Sequence, residues 1–386
     1  MPEKILVVGQ ENAGVVKGGT YAVFRYFCQM LAQNGYRVLA ASYSISDEVP
    51  QWCEGQDNLA YLNLRTRYKA HDHFRTAIRR TLEEEQPALM VFFFPHLYVR
   101  AHLSRKFNHI PRILMFHSRP DFYFANFPAL GRRLKRRYVN THAQVLMNSF
   151  VRLLPPFIRQ EAVSVIPNPV AVPDLEVQRS PVRHKAVYFS RLDPCKGLEL
   201  LIEAFGIIAA QYPEWSVDVY GDSDVPGYRE HIQQLIERKG LAGVVFLKGL
   251  AQRSTAETLC DYDLCVFPSR FEGFGIGLAE AMAVGLPSVG LYNCSGVNEL
   301  IVNGENGLLC EDTPEGLAGA VIRLIENPDL REKLGTQARK SMARYAPADV
   351  SEKWLGLIRG MLAPEDPCPL LPVRELIRLY SNFARK

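Results

Sequence analysis

The strongest constraint on the fold of this chain is an alternation that is run twice. Short apolar runs recur along it, and most are separated by polar stretches with helical spacing. KILVVG (4–9) precedes a glycine-rich loop. In TYAVFRYFCQMLAQNG (20–35), Val23, Phe24, Phe27, Met30 and Leu31 keep helical spacing until Gly35 ends the pattern. YRVLAAS follows as the next run, and the alternation continues through LAYLNL, ALMVFFF, RILMFHS, AQVLMNS and VSVIPN. A strand buried on both faces reads as a continuous apolar run, so the pattern predicts a parallel sheet covered by helices on both sides. The stretch PNPVAVPDLEVQRSPVR (167–183) breaks the pattern with four prolines and reads as an interdomain linker. The alternation then restarts with KAVYFS, WSVDVYG, VVFLKG, LCVFPS and LPSVGL, and from about residue 313 the pattern is helical.

A chain of 386 residues is long enough for two such domains. The expected division is 1–170, 171–362 and a closing amphipathic helix over 363–386 that packs back on the first domain. Two doubly wound α/β units in tandem point their strand carboxyl ends at a shared cleft, where ligands bind. The net charge of +4 gives no pointer to nucleic acid, and no binding module for it is recognisable. Eight scattered cysteines, none in a CxxC pair, argue against a zinc site or a disulfide framework and fit a reducing cytosol. The chain enters its first strand too soon for a signal peptide, and no apolar run approaches the length of a membrane span.

Two stretches carry the chemistry. In PSRFEGFGIGLAEAMAVG a strand gives way to a loop with Glu272, Gly273 and Gly275, then to a helix bearing Glu280. Glycines let a backbone approach a ligand closely, and a helix N-terminus favours a phosphate. Carboxylates repel phosphate but accept hydrogen bonds from vicinal hydroxyls. Two of them flanking an amide-rich loop suit the two sugars on either side of a diphosphate. The competing reading is a plain helix start with acidic residues near its positive end. In FSRLDPCKGLELL, Arg191 and Lys196 flank a turn before a helix, an arrangement that suits a diphosphate. Alone, they would read as two solvated cations.

EGFGIGLAEAMAVGLPSVG resembles the E-x7-E motif of retaining glycosyltransferases of the GT-B fold, and in particular glycosyltransferase family 4. RLDPCKG matches the family's R-x4-K-G stretch. The resemblance covers most of the chain and is strongest over 186–340. It implies that Glu272 holds the donor sugar and Glu280 the nucleotide ribose. The backbone at Phe274, Gly275 and Ile276 would meet the diphosphate or sugar, with Leu278 on the same helix. Arg191 and Lys196 would bind the pyrophosphate. Gly18 and Gly19 fall where the family has a glycine loop, and His117 where it carries a cleft histidine. Asn148, Ser149 and Asn168 fall at further cleft positions. Gly221 opens a turn near the nucleotide, and base recognition through backbone groups is expected near 248–251, which includes Gly249. Asp222 and Asp224 form a DxD that reads as a turn and not as a metal site. A dinucleotide fingerprint is missing, because GQENAGVVKGG lacks G-x-G-x-x-G.

The resulting expectation is a retaining, metal-independent, cofactor-free transferase. It would move a sugar, a hexosyl or N-acetylhexosaminyl group, from a nucleotide sugar to a hydroxyl of a glycan or lipid-linked acceptor. UDP-sugars come first as donor and GDP-sugars next. The expected setting is assembly of a bacterial surface polysaccharide or glycolipid, in the cytoplasm or at the inner membrane face. The alternatives are a nucleotide-sugar epimerase or phosphorylase on the same fold, or a non-catalytic sugar-binding partner. YFANFPALGRRLKRRYV sets Phe122, Tyr123, Phe124 and Phe127 beside Arg132, Arg133, Lys135, Arg136 and Arg137. It reads equally as an anionic-membrane contact over 122–138 or as a solvated helix with Leu130, Leu134 and Tyr138 facing the core.

Overall fold

The apolar runs of the sequence are the strands of two sheets. The computed structural model describes residues 2–9, 19–44, 49–67, 74–137, 140–173 and 183–363. Seven strands make the first sheet: β1 (Lys4–Val8), β2 (Arg37–Ser42), β3 (Leu59–Asn63), β4 (Leu89–Phe92), β5 (Arg112–Phe116), β6 (Thr141–Val145) and β7 (Val163–Val165), in the order β3-β2-β1-β4-β5-β6-β7. Six make the second: β8 (Lys185–Phe189), β9 (Ser216–Tyr220), β10 (Val245–Gly249), β11 (Leu264–Phe267), β12 (Ser288–Leu291) and β13 (Leu308–Cys310), in the order β10-β9-β8-β11-β12-β13. All pairings are parallel. Helices cover both faces, so the middle strands are sealed from water; Ile5, Leu6, Val7 and Val8 are fully buried. The architecture is the GT-B arrangement of two Rossmann-like domains.

β13 was not among the expected strands. It is a three-residue edge strand paired with β12, and its LLC follows the turn Gly304–Gly307 without a run long enough to stand out.

The domains are joined by more than the linker. Residues 174–182 lie outside the described residues, but the preceding stretch is tied down where Val170 N donates to Tyr345 O (2.8 Å) and Arg339 Nη2 to Pro173 O (2.6 Å). The helix Pro347–Leu362 places Val350, Trp354 and Ile358, one turn apart, in the same core cluster as Ile5, Val7 and Phe27 of the first domain. The Trp354 ring meets Phe27 edge-on at 4.8 Å, and Tyr26 Oη donates to Pro347 O at 2.7 Å. The chain therefore returns to its first sheet through this helix. The helix expected over 363–386 lies outside the described residues, apart from Ala363. Among the described residues, no helix is long and apolar enough to cross a membrane.

Candidate active site

In each sheet the strand order reverses once, between β1 and β4 and between β8 and β11. Crossovers leave to opposite faces at such a point, which opens a crevice at the strand carboxyl ends. Arg191, Lys196, Glu272 and Gly275 follow the central strands of the second sheet, whereas His117, Asn148, Gly221 and Gly249 lie at the carboxyl ends of flanking strands. Ser190 to Gly197 leave β8, and Pro268 to Gly275 leave β11. On the other side, Phe93 and Phe94 leave β4, and His117 leaves β5. Gly19 opens the helix Gly19–Gln33 that follows β1, while Gly18 lies outside the described residues.

Lys196 and Glu272 form the centre. The loop after β8 turns through Pro194–Lys196, where the Asp193 carboxylate accepts from Cys195 N at 3.0 Å. Arg270 N donates to Cys195 O at 2.9 Å and ties this loop to the one after β11. Across that seam Lys196 Nζ donates to Glu272 Oε1 at 2.7 Å and to Phe271 O at 3.0 Å. Lys196 is 6% exposed and Glu272 8%, so neither is a solvated surface charge. Ser269 Oγ donates to the same oxygen, Glu272 Oε1, at 2.9 Å. Oε2 has no hydrogen bond among the described residues. One oxygen is fixed by two donors and the other remains free to accept.

Glycines set how closely the parts approach. A Cβ at position 273 would stand 2.1 Å from His117 O, so Gly273 lies directly against the first domain's backbone. A Cβ at position 19 would stand 2.7 Å from Ile276 Cδ1. The helix Gly19–Gln33 and the helix Ile276–Ala283 thus meet near their N-termini, one from each domain. First-turn amides have no partner within their own helix, and both ends carry partial positive charge. Gly275, at φ +79°, makes the left-handed turn into the second of these helices, which only glycine adopts freely.

Glu280 lies on the second turn of the helix Ile276–Ala283. It is partly buried, its carboxylate has no hydrogen-bond partner among the described residues, and burial pushes its carboxyl up to about 7. Phe274 and Leu278 send their side chains into the core, with the Phe274 ring edge-on to Tyr345 at 5.3 Å. Only their backbone is available to a ligand. His117 stacks on Phe93 (4.1 Å) and its Nε2 is buried without a partner. Burial pushes the imidazole down to about 3, so it is neutral. Arg191 is the more exposed cation, with 56% of its side chain open to solvent and Asp224 at 3.7 Å. Asp222 faces Arg229 at 3.8 Å, so each aspartate of the DxD stands beside a different arginine. Among the described residues, no group of three or more His, Cys, Asp or Glu side chains is placed to hold a metal ion. Gly221 N donates to Gly249 O at 2.8 Å, which joins the turns after β9 and β10. Asn168 is buried.

Residues 177–341 match the family model of glycosyl transferases group 1. The match spans the second sheet, the loops that carry Lys196 and Glu272, and the helix that carries Glu280. Relatives and neighbours agree with it. The chain is 31% identical over 181 residues to a poly(glycerol-phosphate) alpha-glucosyltransferase of Bacillus subtilis, covering 47% of this chain and 26% of that protein. It therefore spans about a quarter of that relative's length. The fold superposes on Anabaena HepE in complex with UDP and glucose with a TM-score of 0.72 at 19% identity, covering 92% of this chain and 99% of that one. A variant of S. aureus TarM in complex with fondaparinux, alpha-GlcNAc-glycerol and UDP gives 0.76 at 15% identity, covering 94% and 100%. At such identities the likeness establishes the fold. The family match and the named relatives support a glycosyltransferase.

Several residues of this glycosyltransferase-like site were not visible by sequence reasoning. Ser269, buried at the end of β11, is an ordinary serine in the sequence and becomes meaningful only through its bond to Glu272. Gly296 is another: a Cβ there would lie 2.6 Å from Glu272 Cβ. Glu299 reaches across the cleft, where its Oε2 accepts from Asn148 N (3.0 Å) and its Oε1 from Ser149 N (2.9 Å) and from Ser149 Oγ. Asn148 and Ser149 were expected at the cleft, and in the structure they take part in a bond between the domains.

Proposed function

We propose that this chain is a retaining glycosyltransferase that moves a hexosyl or N-acetylhexosaminyl group from a nucleotide sugar to an acceptor hydroxyl. The observation that carries the reading is the buried Lys196–Glu272 pair beside two helix N-termini contributed by different domains. A diphosphate seated between those N-termini would lie within reach of Lys196 and Arg191. Glu272 Oε2 would accept from a hydroxyl of the transferred sugar, and Glu280 would accept from the ribose. As the sugar–phosphate bond breaks, negative charge builds on the leaving diphosphate. The amides, Lys196 and Arg191 are already oriented to stabilise it. The proposed chemistry runs through these cations, with no metal assigned a step.

Among the described residues, the carboxylate on the His117 side, Asp121, is held by Arg119, so the leaving phosphate oxygen takes the acceptor proton in this reading, on the same face as the departing group. That geometry retains the anomeric configuration. The neutral His117 would then serve as a hydrogen-bonding wall to the sugar and not as an acid. A UDP-sugar is the proposed donor, because the two structural neighbours named above are described as holding UDP. The proposed acceptor belongs to a bacterial surface polymer, as the poly(glycerol-phosphate) relative indicates.

The test is to incubate the protein with UDP-glucose, UDP-N-acetylglucosamine and the corresponding GDP-sugars and to follow nucleoside diphosphate release. Slow release from one donor without acceptor, abolished in Lys196→Ala, is expected. Absence of both release and nucleotide binding across the panel would overturn the assignment.

A further inference from the structure

The surface beside the candidate site on the first domain is unusually aromatic, and none of it has a part in the donor chemistry above. Phe122 and Phe127 are 41% and 38% exposed, both on the short segment after His117. Each is braced from behind. Phe127 stacks on His96 (5.0 Å, 16°), which stacks on Phe94 (5.5 Å), which meets His117 edge-on at 5.5 Å. Phe122 packs against Phe271 at 5.5 Å, and Phe271 is the residue immediately before Glu272. The first route therefore ends at His117, whose carbonyl lies against Gly273, and the second at Phe271, one residue before Glu272. A molecule lying on Phe122 and Phe271 is beside the loop that bears Glu272, the group proposed to hold the transferred sugar.

The polar groups here decide what kind of molecule fits. Arg119 is held bidentate by Asp121, with Nη2 to Oδ2 at 2.7 Å and Nε to Oδ1 at 3.2 Å, and its guanidinium carbon lies 5.9 Å from the Phe271 ring centre. Both members of the pair are partly open to solvent. Such a pair offers donors and acceptors in one plane beside aromatic faces. A pyranose has matching chemistry, with apolar C–H faces and a rim of hydroxyls. An alkyl chain would use the rings and leave the Arg119–Asp121 pair unmatched. On the next helix, Pro128–Arg137, Leu130 and Leu134 are fully buried and so offer no apolar face to a bilayer.

We propose that Phe122, Phe127 and Phe271, with Arg119 and Asp121, form the acceptor subsite and that the acceptor is a glycan whose sugar rings stack there. This rests on the transferase reading above and adds that both domains build the acceptor side, since Phe122 and Phe271 come from different domains. Rigid aromatic platforms bind at low conformational cost, which suits a rim-exposed subsite.

The test uses the intact chain saturated with UDP. Probes are a panel of neutral trisaccharides (glucose, N-acetylglucosamine, galactose, mannose and rhamnose) read by saturation-transfer NMR, and vesicles of phosphatidylglycerol and phosphatidylcholine. The wild type should bind at least one trisaccharide. Phe122→Leu and Phe127→Leu should each weaken that binding by roughly tenfold, Phe122→Tyr should retain it, and all should keep the wild-type melting temperature and Kd for UDP. Undiminished saccharide binding in both leucine variants would overturn the subsite while leaving the transferase reading intact. So would a wild type that binds UDP but none of the saccharides, or leucine substitutions that weaken only vesicle binding. A wild type that neither binds UDP nor releases it from UDP-sugars would remove the transferase reading, and this inference with it.

Discussion

Glu272 and Glu280 are eight residues apart in one loop–helix unit, yet their surroundings are opposite. Glu272 is more deeply buried but satisfied, with one oxygen held by Lys196 and Ser269 and the other left open. Glu280 sits on the following helix with no hydrogen-bond partner among the described residues, and its proton affinity is raised by burial. In the proposed reading, the difference amounts to two ways of preparing a carboxylate for hydroxyl groups. The loop glutamate is oriented in advance by its own ion pair. The helix glutamate carries an unmet hydrogen-bonding demand that a ligand can satisfy.

The largest effect should come from removing the partner that makes the two unlike. Lys196→Ala leaves a buried carboxylate uncompensated, which costs about 3 to 5 kcal/mol of stability, and it deletes a cation beside the proposed leaving group. Transfer should fall by roughly a thousandfold or more, and the melting temperature should drop in calorimetry. Replacing both Lys196 and Glu272 by methionine should recover much of the stability and none of the activity. If the double variant is no more stable than Lys196→Ala, the pair is not the coupled unit described here.

Glu280 should separate binding from stability. Its carboxyl is raised from 4.5 to about 7, so its contribution to stability is fully present below pH 4.5 and is lost as pH rises through about 7. Glu280→Gln should therefore melt a few degrees higher than wild type at pH 8 and equally at pH 4. The ribose needs the ionised carboxylate, so wild-type affinity for UDP should rise between pH 6 and 8, with a midpoint near 7. The variant should bind about ten- to a hundredfold more weakly at pH 8 and show no such rise. A glutamine variant that keeps the pH dependence would assign it to another group.

Ser269→Ala removes one of the two donors that hold Glu272 Oε1. With Lys196 still in place, the cost is on the order of 1 kcal/mol. It should appear as a several-fold fall in kcat with KM for the donor little changed, and Ser269→Thr should restore part of it. The smallest effect on the fold is expected at Arg191. As an exposed cation it should contribute less than about 0.5 kcal/mol to stability. Arg191→Ala should weaken UDP binding at low salt by roughly tenfold, with the difference shrinking as salt is raised.

Most of the fold was legible because parallel strands buried on both faces must be continuous apolar runs, and those need no partner to be seen. β13 escaped because an edge strand of three residues has neither the length nor the composition to stand apart from its turn. The helix Pro347–Leu362 was legible only as part of the helical pattern that begins near residue 313, and the stripe of Val350, Trp354 and Ile358 went unread. Sequence adjacency, however, placed it with the second domain, whereas those three side chains pack in the core of the first. At the site, residue types and local spacing pointed to Glu272, Glu280, Arg191 and Lys196. The bond between Lys196 and Glu272 was not legible, because it joins loops 76 positions apart that meet only because β8 and β11 are neighbours. For the same reason Glu299 and Ser149, 150 positions apart, carried no signal.

The helix Pro347–Leu362 also bears on how the molecule can be cut and how it can move. Two separate stretches of chain pass between the halves, so the halves are joined as a door is by two hinges rather than as a flag is by one rope. Relative motion of the halves is therefore expected to favour rotation about the line through the two crossings. A fragment ending at the linker would leave the surface around Ile5, Val7 and Phe27 without Trp354 to cover it. Such a fragment should be sticky and poorly folded when expressed alone, and adding the separate peptide 343–363 should improve its solubility.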